Sequence, residues 1–346
     1  MILWLAPMDW ITDLPCRIIT KKIFEKYNTN PDHKLRLWTE FMTSDGYIAN
    51  PHKVIKHIIH TKVEQPLILQ IFGWDTDKLL NTALDLEKKY KNQIAGIELN
   101  TGCPANNVMK NGWWSALLKD KEKLLETIKT LSSKLTVPFS IKSRTGLNDE
   151  DKKKQMEFLV KASKYCHMIS IHSRTLKDLY KWEWDRNFIY KLKEKADPNC
   201  KIIWNWAIKF HEDIEIKNKN LDGVMVGQAA IWNPWIFTNH IPSKHEIYNT
   251  IIEHFELLAK YEIFKSDLNQ ENISWDKINP KLKNIESINI DSNYDKIYYT
   301  PLLFRKYLHQ YLKWITWWKE LKELCNKTID FKENVSYIKL FFEKII

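Results

Sequence analysis

Eight short apolar runs, most of them followed by a longer stretch with apolar residues every third or fourth position, constrain this chain more than any other feature. The runs are Leu3-Trp4-Leu5, Leu35 to Trp38, Pro66 to Ile71, Ile94 to Leu99, Val137 to Lys142, Met168 to His172, Lys201 to Ile203 and Gly223 to Val226. Runs this short and this apolar read as strands buried on both faces. Between them, Thr76 to Tyr90, Lys121 to Leu135 and Glu150 to Lys164 are rich in Leu, Lys and Glu at amphipathic helical spacing. Repeated strand–helix units mean a parallel sheet. A count of eight by about residue 226 fits an α/β fold of the TIM (β/α)8 barrel type better than an open doubly wound sheet. Polar residues stand where the runs end: Gln70, Asn100, Lys142, His172, Asn205 and, after the last, Gly227. Barrel enzymes place their active sites at these C-terminal strand ends.

After about Pro242 the alternation stops. Residues 247–264 and 301–346 read as helical, while 265–298 is rich in Asn, Asp, Ser and Lys and reads as an irregular connection. The expected organisation is therefore a barrel over residues 1–242, followed by a smaller all-α helical domain over 243–346.

Composition narrows the function. With 44% hydrophobic and 28% charged residues in 346, the chain is neither disordered nor fibrous. It contains no run of about 18 apolar residues and no signal-peptide pattern at its start, so a cytoplasmic protein without membrane insertion is expected. The five cysteines, Cys16, Cys103, Cys166, Cys200 and Cys325, are scattered and form no CxxC pair, which argues against a disulfide framework or a metal site. A net charge of +10 suits a polyanionic partner, although a solvated lysine surface explains it equally well.

The chemistry-bearing residues gather at the strand ends. In Asn100-Thr101-Gly102-Cys103-Pro104, glycine permits a tight turn and proline fixes the backbone after the sulfur. Cys103 there is either a small buried hydrophobe or a thiol held over the barrel mouth, able to act as nucleophile or acid. Lys142 follows an apolar strand, and its ammonium at the mouth can form a Schiff base or stabilise negative charge on a ring. His172 is a core imidazole or a mouth residue, and Arg174 can hold a phosphate. Asn205 and Gly227-Gln228 stand where many barrels cradle a phosphate, a task that favours glycine; here Trp204 and Trp206 flank Asn205, and their bulk would oppose it.

Taken together, these pieces resemble the tRNA-dihydrouridine synthases, over roughly residues 3 to 330. The matching residues are Ala6 to Asp13, Thr39-Glu40-Phe41, Gln70 to Gly73, Asn100 to Pro104, Lys110-Asn111-Gly112 leading to Ala116-Leu117-Leu118, Ile141 to Arg144, His172 to Thr175, Asn205, and Asn233-Pro234-Trp235. Each piece alone is weak, while their order and spacing are specific. The resemblance implies an FMN-dependent enzyme with an N-terminal TIM barrel and a C-terminal helical tRNA-binding domain. It would reduce the C5=C6 bond of uridines in tRNA with NADPH or NADH as reductant, and no obligate protein partner is implied. By the same resemblance, Cys103 would be the proton donor. Pro7 and Met8 would line the flavin, Gln70 and Lys142 would hydrogen-bond its ring, and His172, Asn205, Gly227 and Gln228 would surround its ribityl phosphate or ring edge. Asn100, Arg144 and Arg174 would lie near the substrate base and its phosphates.

The departures from the family run one way. Where the family shows glycine, this chain has Trp10, Trp113, Trp114, Trp204, Trp206, Trp232, Trp314 and Trp317, with Trp182 and Trp184 in the same set. The chain holds 16 tryptophans and 8 glycines, whereas ordinary usage would give about 24 glycines. Glycine and tryptophan are the least interchangeable of residues. The pattern is that of a gene using UGA for glycine, translated with UGA as tryptophan. Tryptophans that are real at 204 and 206 would crowd the phosphate site. Gln228, where the family often has arginine, is a second departure. Two other readings compete: an FMN-dependent barrel reductase of a small pyrimidine or ene substrate, betrayed by activity on free uracil, and a non-catalytic tRNA-binding relic, which would purify without flavin colour.

Overall fold

A computed structural model describes residues 2–102, 120–178, 185–205, 207–271, 285–315 and 318–346. Cys103, Trp113, Trp114, Trp182, Trp184, Trp206 and Trp317 lie outside the described residues, as does the side chain of Trp314. The described chain divides into two compact units, the first built from residues 1–10, 32–59 and 65–227.

Eight parallel strands close this first unit into a barrel: β1 (Ile2–Leu5), β2 (Lys34–Thr43), β3 (Leu67–Phe72), β4 (Ile94–Asn100), β5 (Phe139–Arg144), β6 (Met168–His172), β7 (Lys201–Asn205) and β8 (Gly223–Val226). Closure comes from β8 pairing with β1, Leu3 opposite Val224 and Leu5 opposite Val226. The TIM barrel expected from the eight apolar runs is the observed architecture. β2 runs further than expected, through Thr39-Glu40-Phe41, with an irregularity against β3 between Trp38 and Phe41.

After β1 comes α1 (Leu14–Tyr27), which groups with the second unit; α2 (Thr76–Tyr90), α3 (Lys121–Lys134), α4 (Lys152–Ser163), α5 (Arg186–Lys195) and α6 (His211–Asn218) follow β3 to β7 in turn. Several begin on an aspartate whose carboxylate accepts a free first-turn N–H: Asp13 from Cys16, Asp75 from Lys78, Asp120 from Lys123 and Asp185 from Phe188. Each such cap contributes about 1 kcal/mol.

The barrel interior is filled by Trp4, Ala6, Trp38, Ile68, Met168, Ile203 and Met225. The rings of Trp4 and Trp38 meet at 4.9 Å. The Trp4 indole takes the room beside Gly223, where a Cβ would stand 2.5 Å from its Nε1. Strand alternation settles the fate of Trp204. Ile203 belongs to the interior cluster, so the next side chain points the other way. Trp204 is fully buried beside Tyr190 of α5, ring centroids 6.1 Å apart. The expectation that Trp204 would crowd the phosphate site is thus corrected: its indole fills the layer between strand and helix.

The second unit comprises residues 11–31, 60–64 and 228–346. It takes in residues 228–242, which the sequence grouped with the barrel, together with α1. Its helices are α1, α7 (Lys244–Glu271), α8 (Thr300–Tyr311), α9 (Lys319–Lys327) and α10 (Phe331–Ile345), with α7 packed on α1, α8 and α10. Phe255 stacks on Phe304 at 4.5 Å and meets Phe331 at 4.4 Å. In the same unit, Arg17 Nε donates to Glu64 Oε1, both side chains almost wholly buried. Glu64 Oε2 also accepts from the backbone and hydroxyl of Thr61. α7 continues to Glu271, into the stretch that reads as irregular, and Lys265 pairs with Glu262 one turn earlier at 2.5 Å. Among the described residues no helix is long and apolar enough to cross a membrane.

Candidate active site

Register brings the polar strand ends together. Gln70 lies opposite Glu98, Asn100 opposite Lys142, Arg144 opposite His172, and His172 opposite Asn205. Side chains two apart on one strand share a face, so Glu98 and Asn100 both look into the barrel, one above the other.

A chain of hydrogen bonds links them. Gln70 Nε2 donates to Glu98 Oε1 at 2.6 Å, and Asn100 Nδ2 donates to Gln70 Oε1 at 3.1 Å. The Gly102 N–H in turn donates to Asn100 Oδ1 at 3.0 Å. The turn after β4 is fastened on its other side as well. Thr101 gives its N–H to the Lys142 carbonyl at 2.8 Å, and Arg144 Nε donates to the Gly102 carbonyl at 2.6 Å. Glycine at 102 lets the turn lie close against β5: a Cβ there would stand 3.0 Å from the Ser143 backbone, tighter than ordinary packing. Cys103, the next residue, lies outside the described part of the chain.

Positive charge concentrates at β5 and β6. His172 is buried, and burial together with Arg144, Lys142 and Arg174 holds its imidazole well below the usual histidine range. It is therefore a neutral ring among cations at pH 7. Arg174 is buried, and its N–H donates to the His172 carbonyl. The Ser173 hydroxyl between them is buried without a hydrogen-bond partner among the described residues. Asn205 Nδ2 donates to the Met225 carbonyl at 2.9 Å, tying β7 to β8. At Gly227 an added Cβ would meet Ala6 Cβ and Met8 Sδ, each at 3.8 Å, so Met8 and the half-buried Pro7 flank the end of β8. Gln228 is exposed and opens the second unit. The strand-end residues read from the sequence thus occupy one end of the barrel, and Gln228, the residue after Gly227, is counted with the second unit.

Two groups were not read from the sequence. Glu98 is fully buried, and burial raises its carboxyl to about 7 against the opposing pull of its bond from Gln70 and of the Lys142 charge. Asp9, Glu40 and His57 bring two carboxylates and an imidazole within 4.8 Å of one another, a donor set able to hold a metal ion, where the sequence gives no metal site. Asp9 is raised above the usual carboxyl range, first by burial and then by Glu40. Glu40 Oε1 accepts from the Trp10 N–H at 2.6 Å, and Trp10 itself sits at φ +61° with 62% of its surface exposed. That backbone conformation suits glycine and strains tryptophan, as the UGA reading expects at this position.

Working groups gathered at the carboxyl ends of parallel barrel strands define a barrel enzyme. The dihydrouridine synthase family profile matches residues 4–333, and the chain belongs to that family. It is similar to the probable tRNA-dihydrouridine synthase of Staphylococcus aureus, 29% identical over 269 residues, covering 75% of this chain and 77% of the relative. It is also similar to tRNA-dihydrouridine synthase B of Pseudomonas aeruginosa, 26% identical over 273 residues, with the same 75% and 77% covered. Among solved structures, a mandelate oxidase mutant with benzaldehyde superposes with a TM-score of 0.41 and 12% identity, over 68% of this chain and 65% of that one. A likeness that loose carries no argument here.

Proposed function

We propose that this protein reduces the C5=C6 bond of uridines in tRNA to 5,6-dihydrouridine, using FMN and a nicotinamide reductant, NADPH or NADH, in the cytoplasm. The observation that carries this reading is the clustering of Lys142, Arg144 and Arg174 around neutral His172, beside a turn anchored by Asn100 and leading to Cys103.

The residues fit FMN. An anionic phosphate suits the positive cluster and the unpartnered Ser173 hydroxyl, and the open position at Gly227 leaves room between Met8 and the end of β8. Pro7 and Met8 would line the ring, Gln70 and Lys142 would bond its polar edge, and His172, Asn205, Gly227 and Gln228 would surround the remainder. When bound, FMN supplies a hydride to C6 of uracil. The Lys142 ammonium offsets the negative charge of the reduced cofactor. The Cys103 thiol supplies the proton at C5 from the opposite side of the ring. Asn100, Arg144 and Arg174 hold the base and its phosphates, and the uridine must be turned out of the folded RNA to reach them. The helical domain and the +10 net charge bind the tRNA backbone, so affinity falls as salt rises.

The test is mass mapping of dihydrouridine in tRNA incubated with the purified yellow protein and with Cys103→Ala. The variant is expected to keep flavin and tRNA while product formation slows at least about a hundredfold. An unimpaired variant removes the proton-donor role, and a colourless protein that refuses FMN removes the whole reading.

A further inference from the structure

We propose that Glu98 is a positioning residue: its carboxylate fixes the direction of the amide chain through Gln70 and Asn100 to the Gly102 N–H, and so orients Gln70 and holds the turn that leads to Cys103. What Gln70 and Cys103 act upon rests on the function proposed above; the relay itself does not.

The argument is one of donors and acceptors. An ionised carboxylate only accepts, so Gln70 must turn Nε2 toward Glu98 and Oε1 toward Asn100. Asn100 then presents Nδ2 to Gln70 and keeps Oδ1 for the Gly102 N–H. Reversing the chain requires a protonated Glu98 that donates to Gln70 Oε1. Gln70 Nε2 would then donate to Asn100 Oδ1, and Asn100 Nδ2 would face the Gly102 N–H, donor against donor. Only one direction keeps the anchor on Gly102: an ionised Glu98 permits no other, whereas a protonated Glu98 can donate or accept and permits both.

The surroundings make that charge conditional. Glu98 is fully buried, and the Gln70 amide, the Lys142 charge and the Trp38 indole together offset only part of the cost of burying its charge. The titratable groups facing Glu98 are Lys142 on β5 and Cys166 just before β6. Burial, with Cys200 and Glu98, holds the Cys166 thiol well above its usual range, so it stays neutral and Lys142 is the counter-charge. As pH falls and Glu98 takes up a proton, the carboxyl can donate as well as accept, and its hold on the direction of the chain is lost.

The experiment uses the full chain labelled with 15N-glutamine, free of flavin and tRNA. The Gln70 side-chain amide resonance and, in 15N-glycine-labelled protein, the Gly102 backbone amide resonance are followed between about pH 5 and 9. Both readouts are expected to titrate together with a midpoint near 7 in the native protein, to become independent of pH in Glu98→Gln, and to titrate again in Glu98→Asp. In the loaded enzyme, Glu98→Gln is expected to lower kcat about tenfold while KM for tRNA stays within about twofold, the loss of one charge-assisted bond. A Gln70 resonance that does not titrate in the native protein overturns the proposal even where Glu98→Gln does not fold. A folded Glu98→Gln with both readouts unchanged overturns it as well. A colourless protein in which both readouts titrate sinks the flavin reading and leaves the relay standing.

Discussion

Arg144 joins the turn after β4 to the loop after β6: its Nε donates to the Gly102 carbonyl at 2.6 Å and its Nη1 to the Thr175 carbonyl at 3.2 Å. A planar guanidinium can serve two carbonyls at a fixed spacing, which a single ammonium cannot. Arg144→Lys is therefore expected to lose about 1–3 kcal/mol of stability in urea unfolding. The same variant should alkylate faster at Cys103 in the folded protein. Unchanged values for both would mean that the arginine holds nothing in place.

The buried pair of Arg17 and Glu64 gives a second prediction, in the helical unit. Arg17 Nη1 donates to the Thr12 carbonyl, and both Glu64 oxygens are occupied, so the pair is fully hydrogen-bonded where water cannot reach. Removing one partner strands the other charge. Glu64→Ala should cost about 3–5 kcal/mol in denaturant unfolding. Replacing both residues with apolar ones of similar volume should cost far less, and equal losses would contradict this account.

His254 predicts the acid limb of stability. It is fully buried, bonded through Nδ1 to the Tyr311 hydroxyl at 2.9 Å, and burial lowers it to about 4. The unfolded chain takes up a proton below about 6.5 and the folded chain does not until about 4, so stability is present above 6.5 and lost as pH falls through that window. His254→Asn keeps an acceptor for Tyr311 and cannot titrate. Its loss of stability between those pH values should be smaller than the native protein's by about 3 kcal/mol. Parallel curves in thermal melts at each pH would show that His254 does not govern the acid limb.

Position 10 offers a chemical prediction. A residue held at φ +61° without glycine's freedom stores strain. Peptide mass mapping of the protein from its own cell should give glycine at residue 10. In the chain as written, Trp10→Gly should raise stability by about 1 kcal/mol. UGG codons at this site and its sister positions would end the recoding idea, while the backbone strain would remain.

The barrel was legible because apolar runs carry strand information directly. Leu3-Trp4-Leu5 and Gly223 to Val226 are short, yet each stands where the count of eight requires. The helix Thr76–Tyr90 follows its apolar spacing from end to end. The site was half legible. Lys142 and His172 end apolar runs and announce themselves, whereas Glu98 sits inside one and looks like a strand residue until β3 is set beside β4. Asp9, Glu40 and His57 come from separate stretches of chain, and only folding brings them within reach of one another. The polar composition after residue 265 concealed a helix, because Lys and Glu one turn apart support helix as readily as they populate loops.

The grouping of residues 11–31 and 60–64 with the helical unit bears on how this protein can be taken apart. A gene truncated after Gly227 would still encode Arg17 and Glu64 but none of the α7 to α10 scaffold they fold with, and one started at Gln228 would encode that scaffold without them. Each piece would carry strands or helices whose packing partners are encoded in the other, so expressing either alone is expected to leave part of its core uncovered.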